Sequence, residues 1–265
     1  MLIRRLLLSC VLSTVHCGSD PDPRTAESTD AGRVCPREPV RPGSPGMVIV
    51  PAGEFVMGCD YKADPRCDFD ELPVRRVTLS TYEIDRTEVT ERDWSTCVSA
   101  SACRSLKTSE PPGPLPILGV SWSDADAYCR FVGKRLPTEA EWEKAARGTT
   151  DCRFPWGDQE PDCSRASYLG CGSRPRAVGA EASASPHGVL DMAGNACEWV
   201  TDWYEGGYSG PLEVRDPLGA ASGTYRVVRG GAFFSPVSAL RVTERDFADP
   251  LLGQSYLGFR CARSL

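Results

Sequence analysis

The chain has 265 residues, a formal net charge of -6 and 25% charged residues. That length supports one domain of ordinary to large size with a real core. The mild acidity excludes the basic surface that nucleic-acid binding needs. No run of about 18 apolar residues is available to span a membrane. Two histidines exclude most multi-histidine metal sites, because His16 falls in the leader and leaves His187. Thirteen cysteines are the unusual number, and they point to an oxidising compartment.

In chain order, Arg4 and Arg5 precede a mostly apolar run from Leu6 to Val15, so residues 1–17 read as a secretory signal peptide. The run ends at Cys17, ahead of Gly18, Ser19 and Asp20, which resembles a bacterial lipoprotein signal with Cys17 as the acylated residue. Plain secretion is the alternative, since Val15-His16 stands where small residues usually precede that cysteine. Leu7-Leu8-Ser9-Cys10 fits the local pattern better but leaves almost no apolar region. Residues 18–45 are rich in Pro, Ser, Asp and Arg, and too poor in apolar surface to offset the entropy of ordering. They read as a disordered tether. Cys35 within it either pins the tether to the domain or pairs between molecules.

The domain occupies residues 46–265. Met47 to Val50 and Glu54 to Met57 read as strands around the turn Pro51-Ala52-Gly53, and Val74 to Leu79 as a third. Thr90 caps a predicted helix over 91–99, and Ser123 one over 124–132 with acidic residues in its first turn. Thr138-Glu139-Ala140-Glu141 is a capping box for a helix ending at Arg147 before Gly148, with Trp142, Ala145 and Ala146 as its apolar stripe. From about 150 to 224 Gly, Pro, Ser and Asp dominate without periodicity, which is long for a loop in a compact domain. Function, disulfides or metal would have to hold it. Tyr225 to Val228 and Gly258 to Ala262 read as closing strands.

Several segments together resemble the formylglycine-generating enzyme family, also called sulfatase-modifying factors. They are Met47 to Gly58, Thr87-Glu88-Val89-Thr90, Gly133-Lys134-Arg135-Leu136-Pro137-Thr138-Glu139-Ala140-Glu141-Trp142-Glu143, Pro155-Trp156-Gly157, Asp191-Met192-Ala193-Gly194-Asn195 with Glu198-Trp199, Arg229-Gly230-Gly231, and Gly258-Phe259-Arg260-Cys261. The resemblance implies an α+β fold related to C-type lectins, with much irregular chain, here stapled by disulfides. The family's oxidases hold copper on two cysteines in the segment after Arg-Gly-Gly, as soft thiolates do. Here residues 232–241 contain no cysteine, and Ala232, Cys197 and Tyr256 depart further from the pattern. Copper and formylglycine generation are therefore not expected. One mature histidine cannot supply the histidine-rich iron site of the related sulfur-transfer enzymes.

The resemblance implies a structural Ca2+, with side-chain oxygens from Asp191 and Glu198 and backbone carbonyls from Gly194 and Ala196. A capped turn with solvated carboxylates is the alternative. The family's second calcium site, around residues 163–178, lacks its ligands and is not expected. The resemblance also pairs Cys129 with Cys261. Cys59 with Cys67, Cys97 with Cys103, and Cys163 with Cys171 suit local bridges across short loops. Cys152 with Cys197 is a further pairing, since both look like additions to the family pattern. If Cys197 is free, it lies near the old active-site groove, where it could pair with His187 as nucleophile and base; a disulfide cysteine and a surface histidine are the plainer reading. A hydroxyl nucleophile at Ser235 lacks an evident base.

The expected function is that of a pseudoenzyme, exported to the periplasm or cell envelope and lipid-anchored or secreted. It would bind a peptide, protein or glycan partner in the former groove. Phe233, Phe234 and Tyr256 would supply aromatic contact, and Arg241, Arg245 and Arg260 charge-assisted hydrogen bonds. The arginines have an alternative role in buried salt bridges. An enzyme with different chemistry on the same scaffold, in envelope or metabolite maturation, is the other function class.

Overall fold

A computed structural model describes residues 34–62 and 64–265. The leader, Cys17 and the tether up to residue 33 lie outside the described residues. In chain order, β1 (Met47–Val50), β2 (Gly53–Met57), β3 (Arg75–Leu79) and β4 (Tyr82–Asp85) come first. Three α-helices follow among the described residues: α1 (Glu91–Ser99), α2 (Trp122–Phe131) and α3 (Glu139–Arg147). The remaining strands are β5 (Cys197–Trp203), β6 (Glu213–Arg215), β7 (Arg226–Arg229), β8 (Asp246–Ala248), β9 (Leu257–Phe259) and β10 (Ala262–Ser264). The class is α+β with much irregular chain.

The strands form three small sheets, ordered β1-β4-β10, β2-β3-β6 and β8-β7-β5-β9. β10 brings the end of the chain against β4, with Ala262 opposite Ile84. β5 pairs antiparallel with β7, Glu198 facing Arg229, and parallel with β9, Cys197 facing Leu257. Trp142, Ala145 and Ala146 of α3 pack into a core with Val50, Phe55, Val77, Ile84 and Val200. A second core gathers Trp94, Tyr128, Trp199 and Phe259 with the Cys129–Cys261 disulfide.

Local chemistry sets the helix starts. Thr90, Ser121 and Thr138 each accept from the backbone N–H three residues on, while the acid at that third position reaches back to the cap. The cap of the second helix, Ser121, thus lies two residues before the predicted cap at Ser123. Asp124 completes a capping box with Ser121, and Ser123 is already helical. The expected strand over 258–262 is two strands, separated by Arg260 and Cys261. β5 went unpredicted because its first four residues are all buried. A strand covered on both faces shows no alternation.

The expected disordered tether ends earlier than residue 45. Residues 34–46 form a strap seated on the domain. Cys35 is bonded to Cys152, Glu38 N–H donates to the Pro186 carbonyl at 2.9 Å, and Ile49 N–H donates to the Arg41 carbonyl at 2.9 Å. These bonds offset the ordering entropy that composition alone left uncompensated. The same disulfide overturns the pairing of Cys152 with Cys197, and Cys197 is a free, buried thiol. Cys59–Cys67, Cys97–Cys103 and Cys163–Cys171 close the short loops.

Candidate functional site

β7 ends at Arg229, and the chain turns away from the sheet at Gly230 and Gly231. Gly231 has φ 72°, and a Cβ on it would stand 2.6 Å from the Ala239 carbonyl oxygen, so only glycine fits this turn. The next segment folds back on itself. Ala232 N–H donates to Ser235 Oγ at 2.9 Å, and Ser235 N–H to the Ala232 carbonyl at 2.9 Å. Ser235 is thus a turn residue, its oxygen engaged by backbone. Phe233 N–H donates to the Asn195 carbonyl, which ties this segment to the Asp191-to-Glu198 loop.

Phe233 and Phe234 meet edge to face at 5.1 Å, and Phe234 meets Tyr256 edge to face at 5.3 Å. Phe234 is 47% exposed while Phe233 and Tyr256 are half-buried, so an aromatic ridge lines this surface. Cys197 lies beneath, with its N–H bonded to the Tyr256 carbonyl. Burial pushes the thiol up, and the Asp246 and Glu198 carboxylates push it further. His187 faces other groups: Glu38 of the strap, at 3.5 Å, with Lys144 and Arg41 beyond. Burial lowers its pKa. The two side chains have no charged neighbour in common, and a thiolate is disfavoured at Cys197, so the nucleophile-base pair is set aside. In the folded protein Cys197 is expected to resist iodoacetamide and to be alkylated fully in urea. Rapid labelling of native protein, read by peptide mass, would contradict its burial.

The arginines of the expected groove point inward. Arg241 clasps Glu71 through two hydrogen bonds at 2.5 and 2.8 Å and also contacts Glu244. Arg245 pairs with both oxygens of Glu139, at 2.7 and 2.9 Å, beneath the Tyr208 ring. Arg260 pairs with both oxygens of Glu198, each at 2.7 Å. All three arginines are held in buried ion pairs. Sequence reasoning missed how far this network extends. Every residue of α3 is buried, and its Glu139, Glu143 and Arg147 engage Arg245, Arg229 and the Gly58 carbonyl. The long Lys134-to-Glu143 motif is thus largely an internal electrostatic brace.

Below the aromatic ridge lies the Asp191-to-Glu198 loop. Gly194 packs so closely that a Cβ would stand 2.3 Å from the Ser167 carbonyl oxygen. Asp191, at φ 56°, accepts from the N–H groups of Gly179 and Ala180 and from Arg176, and so gathers the irregular 176–183 segment. Glu198 also accepts from Trp142 Nε1 at 2.9 Å. Glu88 is the residue the sequence did not single out as a ligand. It is fully buried, one oxygen accepts from Asn195 at 2.8 Å, and the other has no donor. Burial and the nearby Asp191 carboxylate hold it well above the usual carboxylate range.

Residues 33–265 match the model of the sulfatase-modifying factor enzyme 1-like domain. The chain belongs to that family. It is 35% identical over 245 residues to the serine/threonine-protein kinase pkn1 of Chlamydia caviae, covering 83% of this chain and 38% of the kinase. The chain thus spans well under half the length of that relative. It is 32% identical over 300 residues to the formylglycine-generating enzyme of Streptomyces coelicolor, covering 89% of this chain and 95% of the enzyme. Among solved structures, PvdO from Pseudomonas aeruginosa superposes with a TM-score of 0.72 at 27% identity, covering 83% of this chain and 94% of PvdO.

Proposed function

We propose that the protein is a non-catalytic member of its family that binds a peptide or protein partner on the ridge formed by Phe233, Phe234 and Tyr256. The observation that carries this reading is the surface itself. The segment where the family's oxidases carry their cysteine pair has none, and in its place a half-exposed phenylalanine stands between two further rings. Aromatic anchors at a rigid turn are the residues that dominate binding energy at interfaces. Recognition here would be apolar and aromatic, because the nearby arginines are consumed internally. A glycan stacked on the same rings is a competing occupant. Five disulfides fit an exported protein, and no described helix is long and apolar enough to cross a membrane. The proposal extends to an envelope location with acylation at Cys17.

The test is capture from the source organism's own envelope fraction, with the folded domain carrying a photo-crosslinker at position 234. A discrete crosslinked protein that disappears with Tyr256→Ser is expected. Stoichiometric copper or iron with oxygen uptake by the purified protein would overturn the reading in favour of an enzyme, and a crosslink only to polysaccharide would favour the glycan.

We infer further that Ca2+ is held at the loop carrying Asp191, Gly194, Ala196 and Glu198. What supports this is a buried carboxyl group with an unsatisfied oxygen beside two further carboxylates. Glu88, Asp191 and Glu198 are three buried carboxylates facing Arg260 and Arg176, and one Glu88 oxygen is left without a donor. Glu198 Oε1 accepts from Arg260 alone and Glu88 Oε2 from no donor, so these two oxygens keep lone-pair capacity. Calcium bound there would be structural, securing the 176–196 chain. EGTA is expected to lower the melting temperature by several degrees, with recovery on adding CaCl2 but not MgCl2. An unchanged melting curve and no calcium in metal analysis of the purified protein would remove the ion from the account.

A further inference from the structure

β5 has two ends. Its Cys197 end lies under the aromatic ridge. Its Thr201 end, about 13 Å along the strand, lines a separate cavity of about 710 Å³. The wall is built from Tyr82 on β4, Trp122 at the start of α2, and Leu79, Pro217, Leu218 and Leu265. It is mostly apolar, and Leu218 at its mouth is 77% exposed. A volume of this order suits a small organic molecule.

The charged side chains on the wall have partners, with one exception. Asp126 pairs with Arg130 at 2.9 Å, and Glu141 with Arg135 at 2.6 Å. Asp216 accepts from the N–H and hydroxyl of Ser80 at 2.7 and 2.8 Å. Arg226 has no ion pair among the described residues. Its guanidinium is sandwiched between indoles, 3.5 Å from the Trp203 ring centre and 4.0 Å from that of Trp122. One nitrogen donates to the Thr201 carbonyl, and the buried Nε has no acceptor at all. Two stacked rings fix the plane of this cation; Nε is enclosed, and Nη2 is left without an acceptor among the described residues. A planar, pre-oriented guanidinium edge matches a carboxylate.

We propose that this cavity binds a small molecule with an apolar body and one carboxylate, the carboxylate seated on the Arg226 guanidinium and the body against Trp122, Leu79 and Leu218. The site is independent of the aromatic ridge and of whatever binds there. Trp122 and Trp203 would report occupancy directly, since both rings touch the cation that the ligand neutralises.

The test is titration of the folded protein with 4-phenylbutyrate, and with 4-phenylbutanol as the uncharged analogue, read by calorimetry and by the indole N–H signals of Trp122 and Trp203. Saturable carboxylate binding, at least tenfold tighter than the alcohol and weakened by salt, is expected. Arg226→Gln should reduce affinity at least tenfold, and Arg226→Lys should restore part of it. Should Arg226→Gln fail to fold, Leu218→Asp at the exposed mouth should still weaken the carboxylate at least tenfold without altering the melting temperature. Phe234→Ser should leave this binding unchanged. Equal affinity for the two probes, no binding at millimolar concentration, or indifference to Leu218→Asp would overturn the proposal.

Discussion

Replacing Cys129 and Cys261 together by alanine is expected to lower the unfolding free energy by about 4 to 5 kcal/mol. The bond ties α2 to the turn between β9 and β10 across a sequence separation of 132 residues, so its removal releases most of the domain's chain in the unfolded state. Both half-cystines are fully buried in the second core, so lost packing adds to the effect. Cys97–Cys103 spans only 6 residues and supplies the internal control. Its double alanine variant should cost about 2 to 2.5 kcal/mol in the same entropic account. Urea denaturation of the three proteins, with the other disulfides verified by mass, measures both. Equal losses would show that loop entropy is not what separates the two bonds.

Arg229→Met is expected to cost about 3 to 5 kcal/mol, because it removes the cation from a fully buried ion-pair network. Arg229 donates to Glu143 Oε2 at 2.5 Å and to the carbonyls of Val242, Thr243 and Glu244 at 2.9, 2.9 and 2.6 Å. Its loss leaves Glu143 Oε2 without a partner, while Oε1 keeps Arg147 at 3.0 Å, and frees three carbonyls. Adding Glu143→Gln should recover part of the loss. The amide keeps an oxygen for the Gly58 N–H and presents an NH2 where Arg229 stood. The comparison is a double-mutant cycle by thermal and urea unfolding. If the double variant is no more stable than Arg229→Met alone, the unpartnered Glu143 oxygen is not the cause.

These two sites show what the sequence can and cannot convey. Thr90 and Thr138 carry complete capping boxes within four residues, so α1 and α3 could be placed from the chain itself. The Cys129–Cys261 pairing rested on resemblance to a family, since spacing alone leaves many partners open. Arg241, Arg245 and Arg260 look identical on paper to ligand-binding arginines. Their partners Glu71, Glu139 and Glu198 lie 170, 106 and 62 residues away, and only the folded chain brings them together. The strap over 34–46 was misjudged for the same reason. Composition reports how little apolar surface it can bury, while its hold on the domain comes from Cys152, Pro186 and Ile49. Arg226 was unreadable as a site because the two indoles that frame it come from α2 and β5, and neither is near it in the chain.

The strap also decides how the domain answers to a pull. Tension from anything that holds the chain upstream of Cys35 enters the folded body through the sulfur bridge at Cys152 and bypasses residues 36–46 altogether. Cutting that bridge would hand the load to the strap's few hydrogen bonds. Once those let go, the domain could stand off by up to about 40 Å more, the extended length of some dozen residues. That one bond sets how far the chain on its N-terminal side can draw away from the domain, and Cys152→Ser, which leaves the other four disulfides in place, would lengthen that reach.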